Sequence, residues 1–218
     1  MVLLVRHGRT PTTGQVLPGR ARGLHLSDEG RAQAVAVAER IGVLAGGSGR
    51  SGGSKHAGGR PPVAVYASPL ERTTETARPI AKRLGLRVRS ERGLLECDFG
   101  EWTGGKLSEL AKKPEWMTVQ RNPSGFRFPS GESFLEMQAR MTSALARLVE
   151  RHRGETIVAV SHADPIKAVV AQAAGTPLDL FQRLTVAPCS VSALAYTGSG
   201  PVVLTVNSTD SLAALAIA

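Results

Sequence analysis

Four basic side chains in this chain stand where an oxyanion could be held. Arg6 and His7 follow the apolar run Val2 to Val5, Arg72 lies just beyond Ser68-Pro69, and His162 follows the apolar run that begins at Thr156. A guanidinium presents a planar fork that matches phosphate oxygens, and helix N-termini add backbone donors beside it. A single arginine of this kind is more often a surface ion pair, but four basic groups at the ends of strands and first helical turns favour a phosphate. A histidine among them can also react. Imidazole is nucleophilic only when neutral, and nearby guanidinium charges disfavour the protonated form, so Arg6 and Arg72 would keep His7 reactive near neutral pH. Attack on a phosphoryl group would then give a phosphohistidine, with fixed cations stabilising the charge that develops on the transferred oxygens. Such chemistry needs neither metal nor cofactor, and the sequence offers no carboxylate pair with convincing ligand spacing.

The elements that must position these groups follow from periodicity. Val2 to Val5 is a four-residue apolar run bounded by charge, as in a strand buried on both faces of a parallel sheet. Val63 to Ala67, Thr156 to Val160, Ser190 to Tyr196 and Val202 to Val206 are the other strand candidates. Helical patterns lie between them: Asp28 to Leu44 with Ser27 as N-cap, Leu70 to Leu84, Ser133 to His152, and Pro165 to Ala174, with Gly85 and Gly175 closing two of the four. This alternation predicts an α/β fold, a three-layer sandwich with a mostly parallel central sheet and helices on both faces. Ligands of such sheets bind outside the carboxyl ends of the strands, which is where the four basic groups fall. The chain reads as one domain over 1–218. It is interrupted by a glycine, serine and basic insertion at 45–62 that behaves as a loop, and by an irregular region at 105–130 that could form a lid.

Composition bounds the partners. The 218 residues carry 27 lysines and arginines against 18 aspartates and glutamates, a net charge of +9 that favours anionic ligands without choosing among them. Aromatic residues are only 4% of the chain, which argues against a stacking platform for single-stranded nucleic acid. Cys97 and Cys189 form neither a CxxC pair nor a zinc pattern and read as reduced thiols. No apolar run is long enough to span a membrane, and the N-terminus lacks the order of a secretory signal, so the expected location is the cytoplasm.

Other motifs mislead. Gly49-Arg50-Ser51-Gly52-Gly53 matches a nucleophile elbow in form but has loop on both sides rather than strand and helix. Gly100 to Lys106 approaches a phosphate-binding loop, yet Leu107 stands where a magnesium-binding hydroxyl would be. His25, His56 and His152 have no spaced partner and read as solvated side chains.

The chain also resembles the histidine phosphatase superfamily, in its phosphoglycerate mutase-like branch. Val5-Arg6-His7-Gly8-Arg9-Thr10 is similar to the family's RHG signature, and the companion motifs follow in family order. Leu26 to Ala34 resembles the start of its first helix, and Ser68 to Ala77 its second-arginine motif. Leu95 to Gly104 resembles its acid loop and Val160-Ser161-His162-Ala163 its second-histidine motif. The resemblance implies His7 as the phosphorylated nucleophile, Arg6, Arg72 and His162 as the phosphate clamp, and Glu96 as proton donor to the leaving oxygen. The substrate-binding set it implies is Arg6, Thr13, Gly19, Arg20, Arg72 and Ala163. Thr13 stands where many members have asparagine, and Ala163 where glycine is common. Arg9, Arg20 and Arg22 read as extra cations near the mouth.

The expected activity is therefore hydrolysis of a small-molecule phosphomonoester, with phosphoglycerate mutase-like transfer as the alternative. Residues 105–130 hold Lys106, Lys112, Lys113, Arg121 and Arg127 but no adjacent arginine pair of the kind a mutase uses to retain a bisphosphate. A non-catalytic binder of phosphorylated ligands or nucleic acid is the alternative of another class, and a homodimer stays open.

Overall fold

The computed structural model describes residues 1–45, 61–212 and 215. The insertion expected at 45–62 falls, over 46–60, outside the described residues, as do His56 and the elbow-like glycine motif.

Six strands form one sheet in the order β3-β2-β4-β1-β5-β6. They are β1 (Val2–Arg6), β2 (Pro62–Ala67), β3 (Val88–Ser90), β4 (Thr156–Ser161), β5 (Val191–Thr197) and β6 (Gly200–Ser208). The first four lie parallel, with β1 paired to β4 and β4 to β2, while β5 runs antiparallel to β1 and closes a hairpin with β6. β1 and β4 occupy the centre, and their apolar runs are buried along their length. Central parallel strands are covered on both faces, which is why these runs show no alternation.

Side chains leave the sheet alternately to two cores. Leu3, Val5, Val65 and Val160 pack against Val37, Ile41, Ala77 and Ile80 of α1 (Asp28–Ala45) and α2 (Glu71–Arg83). On the opposite face, Val2, Leu4, Ile157 and Ala159 meet Met141, Leu145 and Leu148 of α5 (Phe134–Arg151), together with Ile166 and Val170 of α6 (Ala163–Ala173). The three-layer expectation is met. Helix ends follow local chemistry: the Ser27 hydroxyl accepts from Gly30 N–H, Ser133 and Glu136 form a reciprocal capping box, and Gly85 and Gly175 adopt the positive φ that ends α2 and α6.

Residues 105–130 are more regular than their sequence suggests. They contain α3 (Leu107–Leu110), α4 (Trp116–Arg121) and a 3₁₀ turn at Pro123–Gly125. All five phenylalanines and both tryptophans of the chain gather beneath them in a third core, with edge-to-face contacts such as Phe99 on Phe128 at 4.9 Å and Phe128 on Phe134 at 5.2 Å. The few aromatics of this protein are thus concentrated beside one end of the sheet.

His152 is not a solvated side chain. It caps the C-terminus of α5, where Nε2 lies 3.0 Å from the Tyr66 hydroxyl and Nδ1 3.0 Å from Glu155, because the helix end meets the start of β4 over Tyr66. His25, at the surface, pairs with Glu75. Both cysteines are free and buried.

Candidate active site

Parallel β1, β2 and β4 end on the same side of the sheet, so the residues that follow them meet there. β1 delivers Arg6 and His7, β2 delivers Ser68 and the start of α2 with Arg72, and β4 delivers His162 as the N-cap of α6. The backbone fixes their positions. His7 N–H bonds the Ser161 carbonyl at 3.0 Å, and Gly8 N–H bonds the Thr76 hydroxyl of α2 at 3.0 Å. Gly8 must be glycine because a Cβ there would lie 2.5 Å from the carbonyl oxygen of Gly30, where the first loop presses against α1.

The two imidazoles are neighbours, their ring centroids 5.2 Å apart with planes at 63°. His7 Nδ1 lies 2.7 Å from the Gly8 carbonyl, which fixes the proton on Nδ1 and leaves the Nε2 lone pair free to attack. His162 is bonded in the opposite sense: Nε2 lies 2.9 Å from the Ser68 hydroxyl, while Nδ1 is buried with no hydrogen-bond partner among the described residues. Burial first, then the charges of Arg72 and Arg6, hold His7 well below the usual histidine range. Burial and Arg72 do the same for His162. The arginine charges read from the sequence thus favour neutral His7, with burial adding the larger part.

Both arginines carry unused donors. Arg6 gives one guanidinium N–H to the Val186 carbonyl at 2.7 Å, and Arg72, fully buried, gives one to the Gly19 carbonyl at 2.7 Å. The Nε of Arg6 and both Nε and Nη1 of Arg72 are buried without a partner among the described residues. With the Ser68 hydroxyl donating to His162 Nε2, the His162 proton sits on Nδ1, and four buried donors around His7 have no acceptor among the described residues. Unpaired buried donors cost stability, ~1–3 kcal/mol each and more when charged, and so point to a missing acceptor.

Glu96 reaches this cluster from the loop after the 3₁₀ turn Arg92–Leu94. One carboxylate oxygen lies 4.0 Å from His162 Nδ1, and the other accepts from the Cys97 N–H at 3.0 Å. Burial, then the negative charge of Asp164, raise its carboxyl to about 7 against the opposing pull of Arg72 and Arg6. The carboxyl is thus about half protonated at neutral pH in the unliganded site.

Two arginines hold the Glu96 loop from behind. Arg140, in the middle of α5, donates to the carbonyls of Gly93 and Leu95 and pairs with Glu132 at 2.8 Å. Its remaining nitrogen lies 3.3 Å from the Glu96 carbonyl. Arg20 donates Nε to the same carbonyl at 2.9 Å and pairs with Glu132 and Asp98. This corrects the expectation for Arg20, whose guanidinium is committed to the loop rather than open to a substrate. Gly19 likewise stands behind Arg72, whose guanidinium its carbonyl orients. Arg9 is exposed and pairs with Glu29. Neither Arg9 nor Arg22 lines the cavity over His7.

That cavity, of about 290 Å³, is bordered by Arg6, His7, Thr13, Glu96 and Ala163 at its base. Thr13 also accepts from the Thr10 N–H at 2.9 Å, and α6 begins at the cavity with Ala163, directing its N-terminal dipole there. Sequence reasoning missed Asp164, Arg140 and Glu132 as participants, because a carboxylate in a first helical turn and an arginine within a helix carry no local mark of a site. Ser68 was legible only as a strand tip, with no sign that its hydroxyl meets His162.

The comparisons agree with this geometry. The histidine phosphatase superfamily (branch 1) family model matches residues 2–46 and 53–209. The chain is 29% identical to phosphoserine phosphatase 1 of Hydrogenobacter thermophilus, over 97% of this chain and 93% of that protein. It is 31% identical to a probable phosphoglycerate mutase of Salmonella paratyphi C, over 91% and 86%. Among solved structures, a mycobacterial glucosyl-3-phosphoglycerate phosphatase superposes with a TM-score of 0.78 at 26% identity, covering 95% of this chain and 98% of that one. With a family match along nearly its whole length and a paired-histidine site at the strand ends, this chain belongs to the histidine phosphatase superfamily, branch 1.

Proposed function

We propose that the protein is a phosphomonoester hydrolase that works through phosphorylation of His7. The observation that carries this reading is the set of four buried, unpartnered donors around His7: Arg6 Nε, Arg72 Nε and Nη1, and His162 Nδ1. A phosphoryl group is the ligand whose several anionic oxygens would satisfy them together. In the first half-reaction His7 Nε2 attacks phosphorus, the ester oxygen leaves with the Glu96 proton, and the donors stabilise the charge on the equatorial oxygens. In the second, Glu96, now a carboxylate, takes a proton from water as its oxygen attacks the phosphohistidine, and His7 leaves neutral.

Hydrolysis is favoured over mutase transfer because a mutase must hold a substrate bearing a second anionic group. The extra cations expected near the mouth do not line the cavity: Arg20 is tied to Glu132, and Arg9 to Glu29. The relatives named as phosphatases support the same choice. The substrate is a small phosphorylated molecule. No helix among the described residues is long and apolar enough to cross a membrane.

The test is release of inorganic phosphate from p-nitrophenyl phosphate by the wild type and by His7→Ala. Turnover that persists in EDTA, is inhibited by vanadate and is lost by about a thousandfold or more in the variant is expected. Full activity of His7→Ala, or phosphate passing to 3-phosphoglycerate faster than to water, would overturn it.

A further inference from the structure

Beyond the phosphate clamp, the cavity changes character. Its outer walls include Leu17, Phe99, Leu107, Trp116, Val119 and Phe134, with Gln120 and Gln182 as the uncharged polar side chains beside them. Leu17, Leu107 and Trp116 are only half-buried, so apolar surface from the first loop, α3 and α4 is left facing a common space. Surface of this kind is matched by an apolar ligand. The charged groups on this side are Asp164 and Lys167, and they neutralise each other: Lys167 Nζ lies 3.5 Å from the Asp164 carboxylate and donates to Gln182 at 3.2 Å. A substrate carboxylate or second phosphate would find one lysine already shared with Asp164 and Gln182, with the Asp164 carboxylate beside it. An amino acid zwitterion could exchange partners with the pair, but only by opening an ion pair already four-fifths buried and leaving the aromatic wall unused.

From this we infer that the preferred substrate is the phosphate ester of an uncharged alcohol with an apolar, ring-sized body, which lies along Leu17, Leu107 and Trp116 while its phosphate meets His7. The inference rests on the phosphatase reading above. A space of about 290 Å³ sits at the lower end of pockets that enclose ring-bearing small molecules. It gives the aromatic residues collected under α3 and α4 a role in selecting the leaving group.

The test compares three primary alkyl esters whose leaving groups differ little in reactivity: 2-phenylethyl phosphate, O-phosphoserine and 3-phosphoglycerate. Burying a phenyl ring predicts a kcat/KM for 2-phenylethyl phosphate roughly 30-fold above either charged ester. Trp116→Ala, in a half-buried helix start, is expected to narrow that ratio by about fivefold. A ratio at or below one would overturn the inference, as would a Trp116→Ala that slows all three esters equally. If p-nitrophenyl phosphate is still turned over in a His7-dependent manner, the phosphatase reading survives such a result. If no ester releases phosphate, both fall.

Discussion

Glu96→Gln tests the proposed proton donor. The carboxyl is raised from an ordinary 4.5 to about 7 by burial and Asp164. At pH 7 a carboxyl with pKa 4.5 would be protonated roughly 0.3% of the time and one with pKa about 7 roughly half the time, a gain of roughly 150-fold in the competent form. Above that pKa the protonated fraction falls tenfold per pH unit. For an alkyl ester, whose alkoxide cannot leave unprotonated, kcat/KM of the wild type should therefore decline about tenfold per unit above pH 7. His7 imposes no opposing limb near 6.5, because burial and two arginines keep it neutral well below that pH. Glutamine cannot donate the proton, so the variant should lose about 10²- to 10⁴-fold toward 2-phenylethyl phosphate and lose the descending limb with it. Toward p-nitrophenyl phosphate, whose leaving group departs as an anion, the loss should be under about tenfold. Asp164→Asn removes the second cause of the raised value and should move the limb to lower pH. Steady-state kcat/KM from pH 5 to 9 for both esters reads all of this, since kcat/KM reports the free enzyme. A Glu96→Gln that keeps the wild-type descending limb would refute the assignment.

Other consequences concern what holds the site. Arg140 acts through the Glu96 carbonyl as a positioning residue, so Arg140→Met should cost about 10- to 100-fold in kcat for alkyl esters and much less for p-nitrophenyl phosphate, with partial recovery in Arg140→Lys; equal loss for both esters would mean a merely structural role. Inorganic phosphate at ~100 times its Kd should stabilise the wild type by about 2.7 kcal/mol, or about 5–10 °C in Tm, by satisfying the unpartnered donors. Arg72→Met should remove most of that gain; calorimetry with and without phosphate decides it. Gly8→Ala should destabilise by about 1–3 kcal/mol and cut activity, since its Cβ must displace backbone at Gly30 and carry His7 with it. Denaturant unfolding and turnover should change together.

The central strands were legible because burial on both faces writes them as unbroken apolar runs, and the helices because proline, serine and glycine mark their ends. β3 was not legible. Its three residues, Val88-Arg89-Ser90, form an edge too short to carry a pattern, and it exists because β2 offers it a partner. The fold of 105–130 was hidden for a related reason: its helices are short, and what orders them is the aromatic core beneath, assembled from residues as distant as Phe99 and Phe181. At the site, the convergence of residues 7, 72 and 162 was legible because parallel strands bring their tips together, so they needed no local pairing to be joined. The sequence marks Arg20 only as a cation near the motif; its ion pair with Glu132 is a long-range contact across 112 positions that no spacing rule encodes.

The most direct test of the account is a structure of the protein with vanadate bound. Vanadium should be bonded to His7 Nε2, with its oxygens within hydrogen-bond distance of Arg6 Nε, Arg72 Nε and Nη1, and His162 Nδ1, and with Glu96 facing the apical oxygen. Vanadate bound away from His7, or bound there while those four donors stay unpartnered, would contradict it.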